Sequence, residues 1–459
     1  MNCFILQTIP RRGSPKKITV SLYLPQQQAE TNSHTMSPFQ VFMVGVCFIL
    51  NFCDGIDVLA VSFASNDIIK EWGLSKTEMG YVFSSGLAGM TLGCFLIAPR
   101  ADHVGRRKIL LVSLVLISIG MLLVSVCNSY QQLLWLRFFT GLGIGGILPV
   151  LAATASEFSS PKFRDFNVGL VQAGWPVGAI LTGFVCAYTI PLYGWRIIFM
   201  LAGVVSFVLL VLVYFFMSDS LDYLIRKQPN NALNKINTLL QKMDRETLTV
   251  MPNKPEIKAV AGPLSLFNDE YRDSTIKSWG ALFFSFITLY TLMSWVPTIA
   301  AESGLSLEVA IYVGISLNAG AALGSSSIGA IGSKFGLRQT VFVFMIFAFA
   351  VMLLYGNFSW PTGMLFILIF LIGVFVQGGF NGLFPTLSRI YHSDIRATGI
   401  GYGFGIGRLG AIIGPALFGL LADLGLTTAQ LFSLFSIPVL ISAACVISLR
   451  SKNLLVSKV

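Results

Sequence analysis

The sequence predicts an all-α integral membrane protein with twelve transmembrane helices arranged as two halves of six. Of its 459 residues, 54% are hydrophobic and only 11% are charged, whereas a soluble domain carries roughly 25% charged residues. A soluble core could not bury so many apolar side chains, so lipid must solvate many of them. The apolar residues fall into runs of about 20, the length that crosses a bilayer as a helix.

One long polar stretch separates the sixth apolar run from the seventh. It contains Pro229, Pro252 and Pro255 and is expected to be a linker, with one short amphipathic helix at 231–243. The predicted organisation is a polar tail at 1–37, a first half at 38–217, a linker at 218–277, a second half at 278–450 and a tail at 451–459. The predicted spans are 40–64, 79–99, 109–127, 132–156, 167–189, 195–217, 278–300, 306–331, 339–356, 361–388, 397–422 and 428–449.

The basic residues lie almost entirely on one side of these spans. The formal net charge is +10, but the charges form short clusters between apolar runs, as membrane topology requires, and not a nucleic-acid surface. The loops on the opposite side contain only three basic residues, which are Lys70, Lys76 and Arg196. Because cytoplasmic loops carry the excess of Lys and Arg, both termini and the linker are expected in the cytoplasm, with the protein multi-pass in a cell (inner) membrane.

Cysteine and histidine usage points away from a metal centre or a cofactor. Six of the seven cysteines lie in or at the end of apolar runs and none forms a CxxC pair, so they are interpreted as small packing residues. The three histidines all fall outside the apolar runs. The spans carry no nucleophile motif of an enzyme, and we expect neither cofactor nor metal.

Two glycine patterns resemble a dinucleotide fingerprint by letter only. They begin at Gly141 and Gly405 and lie inside apolar spans, not after a strand, so the nucleotide interpretation fails its context. Small residues at such spacing instead favour close packing of helices in a membrane.

Two carboxylates in the first span are the sharpest functional signal. Asp54 and Asp57 are three residues apart near mid-span and share one helical face. Burial and mutual repulsion disfavour the ionisation of both, so the pair is a candidate proton carrier. The structural alternative is a pair hydrogen-bonded to neighbouring helices.

Arginines in two other spans require anionic partners. Arg137 lies in the fourth span and Arg408 near the middle of the eleventh. Because arginine stays charged, each needs a carboxylate or a water-filled cavity, and Asp54, Asp57 or a substrate anion could serve. The other candidate substrate-binding residues, for each of which interhelical hydrogen bonding or packing is the alternative, are Gln172, Trp175, Asn318, Gln377 and Asn381.

The loop after the second span resembles the signature loop of the major facilitator superfamily. Residues 98–108 read APRADHVGRRK, with Ala98 in place of the usual first Gly. A degenerate copy at 332–338 has Ser333 where Asp would stand, so the second loop is expected to be a weaker latch. Copies at matching places indicate an internal repeat. Glu157 is expected to pair with Arg164 or with this loop.

A narrower resemblance is to the aromatic acid/proton symporter family. It rests on Asp54-Gly-Ile-Asp57, on the run from Arg137 through Pro149 to Glu157, and on Gly194-Trp-Arg196 and Ser218-Asp-Ser220 around the sixth span. The resemblance implies proton-coupled import of a carboxylated aromatic compound such as a hydroxybenzoate across a bacterial inner membrane. It implies proton coupling at the aspartates. It further implies that a set of charged residues is needed for transport: Asp54, Asp57, Asp102, Arg137, Glu157, Arg396 and Arg408. The candidate residues of a cytoplasmic gate, around the signature loop, are Asp102, Gly105, Arg106, Arg107, Glu157, Arg164 and Arg396.

Other functions remain open at this point. A major facilitator transporter of another organic anion, such as an aliphatic dicarboxylate, or of a sugar or a drug would share the fold, although two intramembrane arginines favour anions. A membrane sensor would normally add a soluble signalling domain, and the linker is too short and polar for one. We expect a small organic acid, protons and the bilayer as partners, no nucleic acid, and a monomer.

Overall fold

Twelve helices long and apolar enough to cross a membrane make up the fold, in a computed structural model that describes residues 35–252, 263–391 and 393–449. The predicted fold class is confirmed. The first half contains α1 (Pro38–Trp72), α2 (Lys76–Leu96), α3 (Arg106–Ser125), α4 (Tyr130–Phe158), α5 (Arg164–Tyr193) and α6 (Arg196–Phe216). The second contains α7 (Arg272–Glu302), α8 (Leu307–Phe335), α9 (Leu337–Asn357), α10 (Thr362–Ile390), α11 (Ser393–Asp423) and α12 (Thr428–Ile447).

Helices α1 and α7 extend beyond the apolar runs that predicted them. Helix α1 begins at a capping box formed by Ser37 and ends at Gly73, which adopts a left-handed conformation with φ 62°. Helix α7 begins at Arg272, inside the stretch assigned to the linker. Its first turns carry an ion pair between Asp273 and Lys277 at 2.8 Å, four residues apart on one helical face. Hydropathy alone missed these polar helical turns.

The described part of the linker contains a 3-10 turn at Pro263–Phe267 and two short α-helices, Leu221–Lys227 and Ala232–Lys242. The second lies within the predicted amphipathic segment and buries an apolar face that includes Ile236 and Leu239. It packs at the start of α1, where the Ser37 hydroxyl donates to the Lys242 carbonyl at 3.1 Å. We call the membrane side that carries the linker the linker side, and the opposite side the far side.

Equivalent helix pairs in the two halves pack through glycines at very short range. A Cβ atom at Gly145 on α4 would lie 1.9 Å from the Met90 carbonyl oxygen on α2. In the second half, a Cβ at Gly324 on α8 would lie 2.1 Å from the Val374 carbonyl oxygen on α10. Only glycine permits backbones to approach this closely. The same packing at corresponding places reflects the internal repeat.

The two halves meet along α1 with α7, α2 with α11, and α5 with α8. On the far-side part of this interface, the Ser62 hydroxyl donates to the carbonyl oxygens of Met293 and Ser294, each at 2.8 Å. The Ser65 hydroxyl bonds to the Thr298 hydroxyl one turn further out. These hydroxyl groups join the two halves between the aspartate pair and the far side of the membrane.

Candidate functional site

The aspartate pair lies buried at the middle of α1. Asp54 and Asp57 are 3% and 2% exposed. Both carboxylate oxygens of Asp54 and Oδ1 of Asp57 lack a hydrogen-bond partner within the described residues. The Asn51 amide fixes this part of α1 against α5 by donating to the Val171 carbonyl at 2.7 Å. Buried polar groups are normally satisfied, so these two carboxyls are candidates for binding a proton or a ligand.

Arg137 approaches Asp57 from within the first half. It lies on α4, is 4% exposed, and its Nη1 donates to the main-chain carbonyl of Asp57 at 3.2 Å. Its Nε has no partner within the described residues, and the carboxylate that acts on its charge is that of Asp57. The guanidinium therefore retains unused donors beside an unused acceptor.

Arg408 acts electrostatically on Asp54 from the second half. It lies on α11, and it is the charged group with the largest influence on Asp54. The Trp175 side chain on α5 lies beside the same carboxyl. Each aspartate thus faces one arginine, Asp57 from its own half and Asp54 from across the interface.

A cavity of about 30 Å³ lies between the halves next to this charge cluster. It is lined by Arg137 and by Ser62 from the first half, and by Tyr290 and Ser294 from α7. One water needs about 10–15 Å³ in the same measure, so the cavity holds one or two waters. A benzoate-sized molecule enters only when the halves part. Sequence reasoning missed Tyr290, which sits in an apolar run and differs from its aromatic neighbours by one hydroxyl.

Two of the three polar residues predicted in the second half, Gln377 and Asn381, form a chain from α10 to Ser325 of α8. Gln377 Nε2 donates to Asn381 Oδ1 at 3.4 Å, and Asn381 Nδ2 donates to Ser325 Oγ at 2.7 Å. The Asn318 amide donates to the Gly314 carbonyl of its own helix at 2.9 Å. Asn318 Oδ1 and Gln377 Oε1 are buried without partners within the described residues.

Gln172 is placed differently from the prediction. Its side chain is exposed, and only its carbonyl oxygen takes part in the site, by accepting from Asn51 at 3.4 Å. The residue one turn away on α5 that reaches the aspartates is Trp175.

The signature loop forms an ion-paired latch on the linker side. Arg106 Nε donates to both carboxylate oxygens of Glu157, at 2.8 and 2.9 Å. Gly105 has φ 107°, and a Cβ there would lie 2.9 Å from the Asp219 carboxylate. Burial raises the pKa of Asp219, while neighbouring Arg107 opposes the shift. Glu157 thus joins α4 to the signature loop, the second of its two predicted partners.

Two other predicted gate residues lie apart from this latch. Arg164 is exposed and acts on the charge of Arg245 in the linker, so it is not the partner of Glu157. Arg396 is exposed and donates to the Tyr391 carbonyl at 3.3 Å. The side chain of Asp102 lies outside the described part of the structure.

The second signature copy uses a main-chain contact in place of an ion pair. Gly336 has φ 87°, matching Gly105 in the first copy. Arg338 Nη1 donates to the Leu449 carbonyl at 2.6 Å, and the Ser333 hydroxyl bonds only to the Ala330 carbonyl of its own helix.

A second set of charged contacts, which the sequence did not reveal, joins the halves on the far side. Lys76 at the start of α2 pairs with Glu302 at the end of α7 at 2.8 Å. The Asp423 carboxylate at the end of α11 accepts from the main-chain nitrogens of Lys76 and Thr77, at 3.0 and 2.7 Å. We call Lys76, Glu302 and Asp423 the far-side latch.

Comparison with known proteins agrees with this architecture. The sequence matches the family profile described as Major Facilitator Superfamily over residues 47–322 and 278–456. It is 30% identical over 436 residues to a 4-hydroxybenzoate transporter of Acinetobacter baylyi, covering 93% of this chain and 94% of that one. It is 29% identical over 428 residues to a benzoate transport protein of the same organism, covering 91% of each.

The fold also matches a crystal structure of a D-xylose-proton symporter, with a TM-score of 0.70 and 16% identity over 89% of this chain and 96% of that one. The chain belongs to the Major Facilitator Superfamily and, within it, to the aromatic acid/proton symporter family that its sequence resembles. It is a multi-pass membrane transporter and not an enzyme.

Proposed function

We propose that this transporter imports a carboxylated aromatic compound, such as a hydroxybenzoate, together with protons. The observation that carries the proposal is the pair of buried, unpartnered carboxyls that faces one arginine from each half. The names of the relatives favour a benzoate-like substrate over an aliphatic one.

Charge balance connects the substrate to the proton. With both carboxyls ionised, Asp54 and Asp57 balance Arg137 and Arg408, so the empty site is neutral. An entering carboxylate adds one negative charge, which uptake of one proton by the aspartate pair cancels. Moving a net charge through the membrane field costs about 2.3 kcal/mol per 100 mV. The two neutral states, the empty site and the site holding both substrate and proton, are therefore the ones able to change access, whereas the site holding substrate alone is not.

The cross-interface pair supplies the switch in this scheme. Protonation of Asp54 weakens its attraction for Arg408, which belongs to the opposite half. The substrate carboxylate then takes the arginine, and Trp175 lies beside the site to contact the ring. Because Arg408 and Asp54 lie on different halves, the exchange of partners acts on the interface that must rearrange during transport.

We propose that the linker side faces the cytoplasm of a bacterium and that one chain is the transporting unit. The far-side loops carry only three basic residues, and two of these are neutralised by pairing. Lys76 pairs with Glu302, and Arg196 pairs with Glu71 at 2.7 Å. The unpaired positive charge therefore accumulates on the linker side, which the positive-inside rule assigns to the cytoplasm.

The test is uptake of labelled 4-hydroxybenzoate into proteoliposomes with and without an inward proton gradient. We expect gradient-driven uptake by the wild type and loss of the gradient dependence in Asp54→Asn and Asp57→Asn. Asp67→Asn is the matched control, because Asp67 lies on the same helix outside the charge cluster. Wild-type proton dependence in both site variants would reject the coupling scheme. Competition by succinate but not by benzoate would reject the aromatic substrate.

A further inference from the structure

One aromatic residue of the second half reaches the central cavity. Tyr290 on α7 lines the same cavity as Arg137, and Arg408 and Asp54 both act on its phenol electrostatically. Within the described part of the chain, the Tyr290 hydroxyl has no hydrogen-bond partner. Its oxygen is nevertheless not fully enclosed by protein atoms. A phenol that can both donate and accept therefore opens on the cavity that Arg137 also lines.

The ring of Tyr290 is held in place by a cluster of phenylalanines. It is stacked against Phe286, one turn earlier on α7, with ring centroids 5.7 Å apart and planes 2° from parallel. Phe380 of α10 and Phe404 of α11 contact Phe286 edge-on, at 4.8 and 6.0 Å. A Cβ at Gly407 would lie 2.6 Å from the Phe286 ring, so the α11 backbone closes directly on it. The cluster holds Phe286, and the Tyr290 ring stacks on Phe286 where it lines the cavity.

The halves thus contribute different chemistry to one space. The first half brings the aspartate pair and Arg137, which suit a carboxylate and a proton. The second half brings a fixed phenol backed by aromatic rings, next to Arg408. A ring whose carboxylate is bound to an arginine would present its opposite edge to this phenol when the cavity widens.

We propose that Tyr290 determines which aromatic acid is transported, by hydrogen bonding to a hydroxyl on the substrate ring. This inference rests on the proposed function and names the residue that makes a ring-hydroxylated benzoate the preferred substrate. A site built to bond a substrate hydroxyl discriminates strongly against the analogue that lacks it, because the buried partner is then left unpaired.

The test compares 4-hydroxybenzoate with benzoate in uptake by the wild type and by Tyr290→Phe, which keeps the ring and removes only the hydroxyl. We expect the wild type to have the lower KM for 4-hydroxybenzoate. The variant should raise that KM roughly three- to tenfold, the loss of about one hydrogen bond, with Vmax and the benzoate KM nearly unchanged. The preference ratio therefore collapses, which a general loss of stability would not produce.

Tyr355→Phe is the matched control. Tyr355 is a buried tyrosine of the same half that packs on Phe432 of α12, at 4.6 Å between rings, away from the cavity. This variant should keep the wild-type ratio. An unchanged ratio in Tyr290→Phe, or a wild-type preference for benzoate, would overturn the role of Tyr290 and leave aromatic acid transport standing. Absence of uptake of either acid by folded wild type would overturn both proposals.

Discussion

Replacing Gly419 by alanine should hold the transporter open on its far side. Gly419 lies on α11, where a Cβ would be 2.2 Å from the Lys76 carbonyl oxygen of α2, across the interface between the halves. Because the obstructing atom is backbone, no side-chain rotation relieves the clash. The added methyl group therefore opposes the contact between the halves. Within its own half the nearest atom belongs to the Trp295 side chain, at 3.1 Å, which needs to shift by a few tenths of an ångström.

The size of the effect follows from the distances. Ordinary contact begins near 3.4 Å, so α2 and α11 must separate by about 1.2 Å. That displacement takes the hydrogen bonds from Lys76 N and Thr77 N to Asp423, now 3.0 and 2.7 Å, beyond or near the limit of hydrogen bonding. Taking about 1 kcal/mol for each of these exposed bonds gives about 2 kcal/mol against far-side closure. The ratio of closed to open far side should then fall roughly 30-fold.

The assay is chemical labelling of a cysteine introduced at Ser62, a residue 2% exposed at the closed far-side interface, after the seven native cysteines have been replaced. A membrane-impermeant maleimide added from the far side should label Gly419→Ala faster than the parent, and substrate uptake should fall. Gly401→Ala is the control, because Gly401 lies on the same helix with nothing within 4 Å of the added Cβ.

Equal labelling and uptake in both variants would refute the reasoning, since the halves would then not separate along this contact. If Gly419→Ala does not fold, Asp423→Ala provides the same test without a steric change. It removes the acceptor of the two main-chain bonds, and faster labelling at Ser62→Cys is again expected.

Three further predictions concern stability, measured as the melting temperature of the purified protein. Gly145→Ala should lower the melting temperature by an amount equivalent to about 1–3 kcal/mol of overpacking. Gly45→Ala should leave it unchanged, because no atom lies within 4 Å of the added Cβ. Equal melting temperatures of the two variants would contradict the packing argument. Glu157→Gln should lower the free energy of unfolding by about 1–3 kcal/mol. This is less than for a fully buried ion pair, because the side chains of Glu157 and Arg106 are 20% and 12% exposed. An unchanged melting temperature would show that the latch adds no stability. Burial raises the pKa of Asp219 above the ordinary 3.8, so the folded state binds its proton more tightly and this group's contribution to stability falls as pH rises from about 4. Asp219→Asn should remove that slope, and identical pH profiles would contradict it.

The sequence was sufficient for the fold and for the charged centre of the site, because both depend on rules that the bilayer imposes locally. Spans follow from apolar length, and a charge inside a span is costly enough to stand out, which identified the aspartate pair, Arg137 and Arg408. The polar ends of α1 and α7 were missed because hydropathy falls where a helix leaves the lipid, although the helix continues.

Contacts between the halves could not be predicted, because they join helices distant in the chain whose rotation the sequence does not fix. Gln172 and Trp175 are three residues apart on α5, yet Gln172 is exposed while Trp175 lies beside Asp54. Asp423 and Glu302 lie at helix ends far apart in the chain, and only the packing of α2 against α7 and α11 brings both of them to Lys76. Tyr290 could not be selected from the sequence, because only the folded structure shows that it lines the same cavity as Arg137.

Helices within a half pack through glycines, whereas the two halves are joined through hydroxyl groups. This difference predicts which helix contacts separate during transport. Separating α2 from α4 would lose the close main-chain packing that glycine permits, which is the interaction that holds helices together in lipid. Separating α1 from α7 frees the Ser62 hydroxyl and the carbonyls it bonds into a space that water enters, and water restores most of what is lost. Each half therefore moves as a unit, and the protein separates most easily at the boundary between the halves. The activation enthalpy of transport should then be that of exchanging a few hydrogen bonds with water, far below that of unfolding either half.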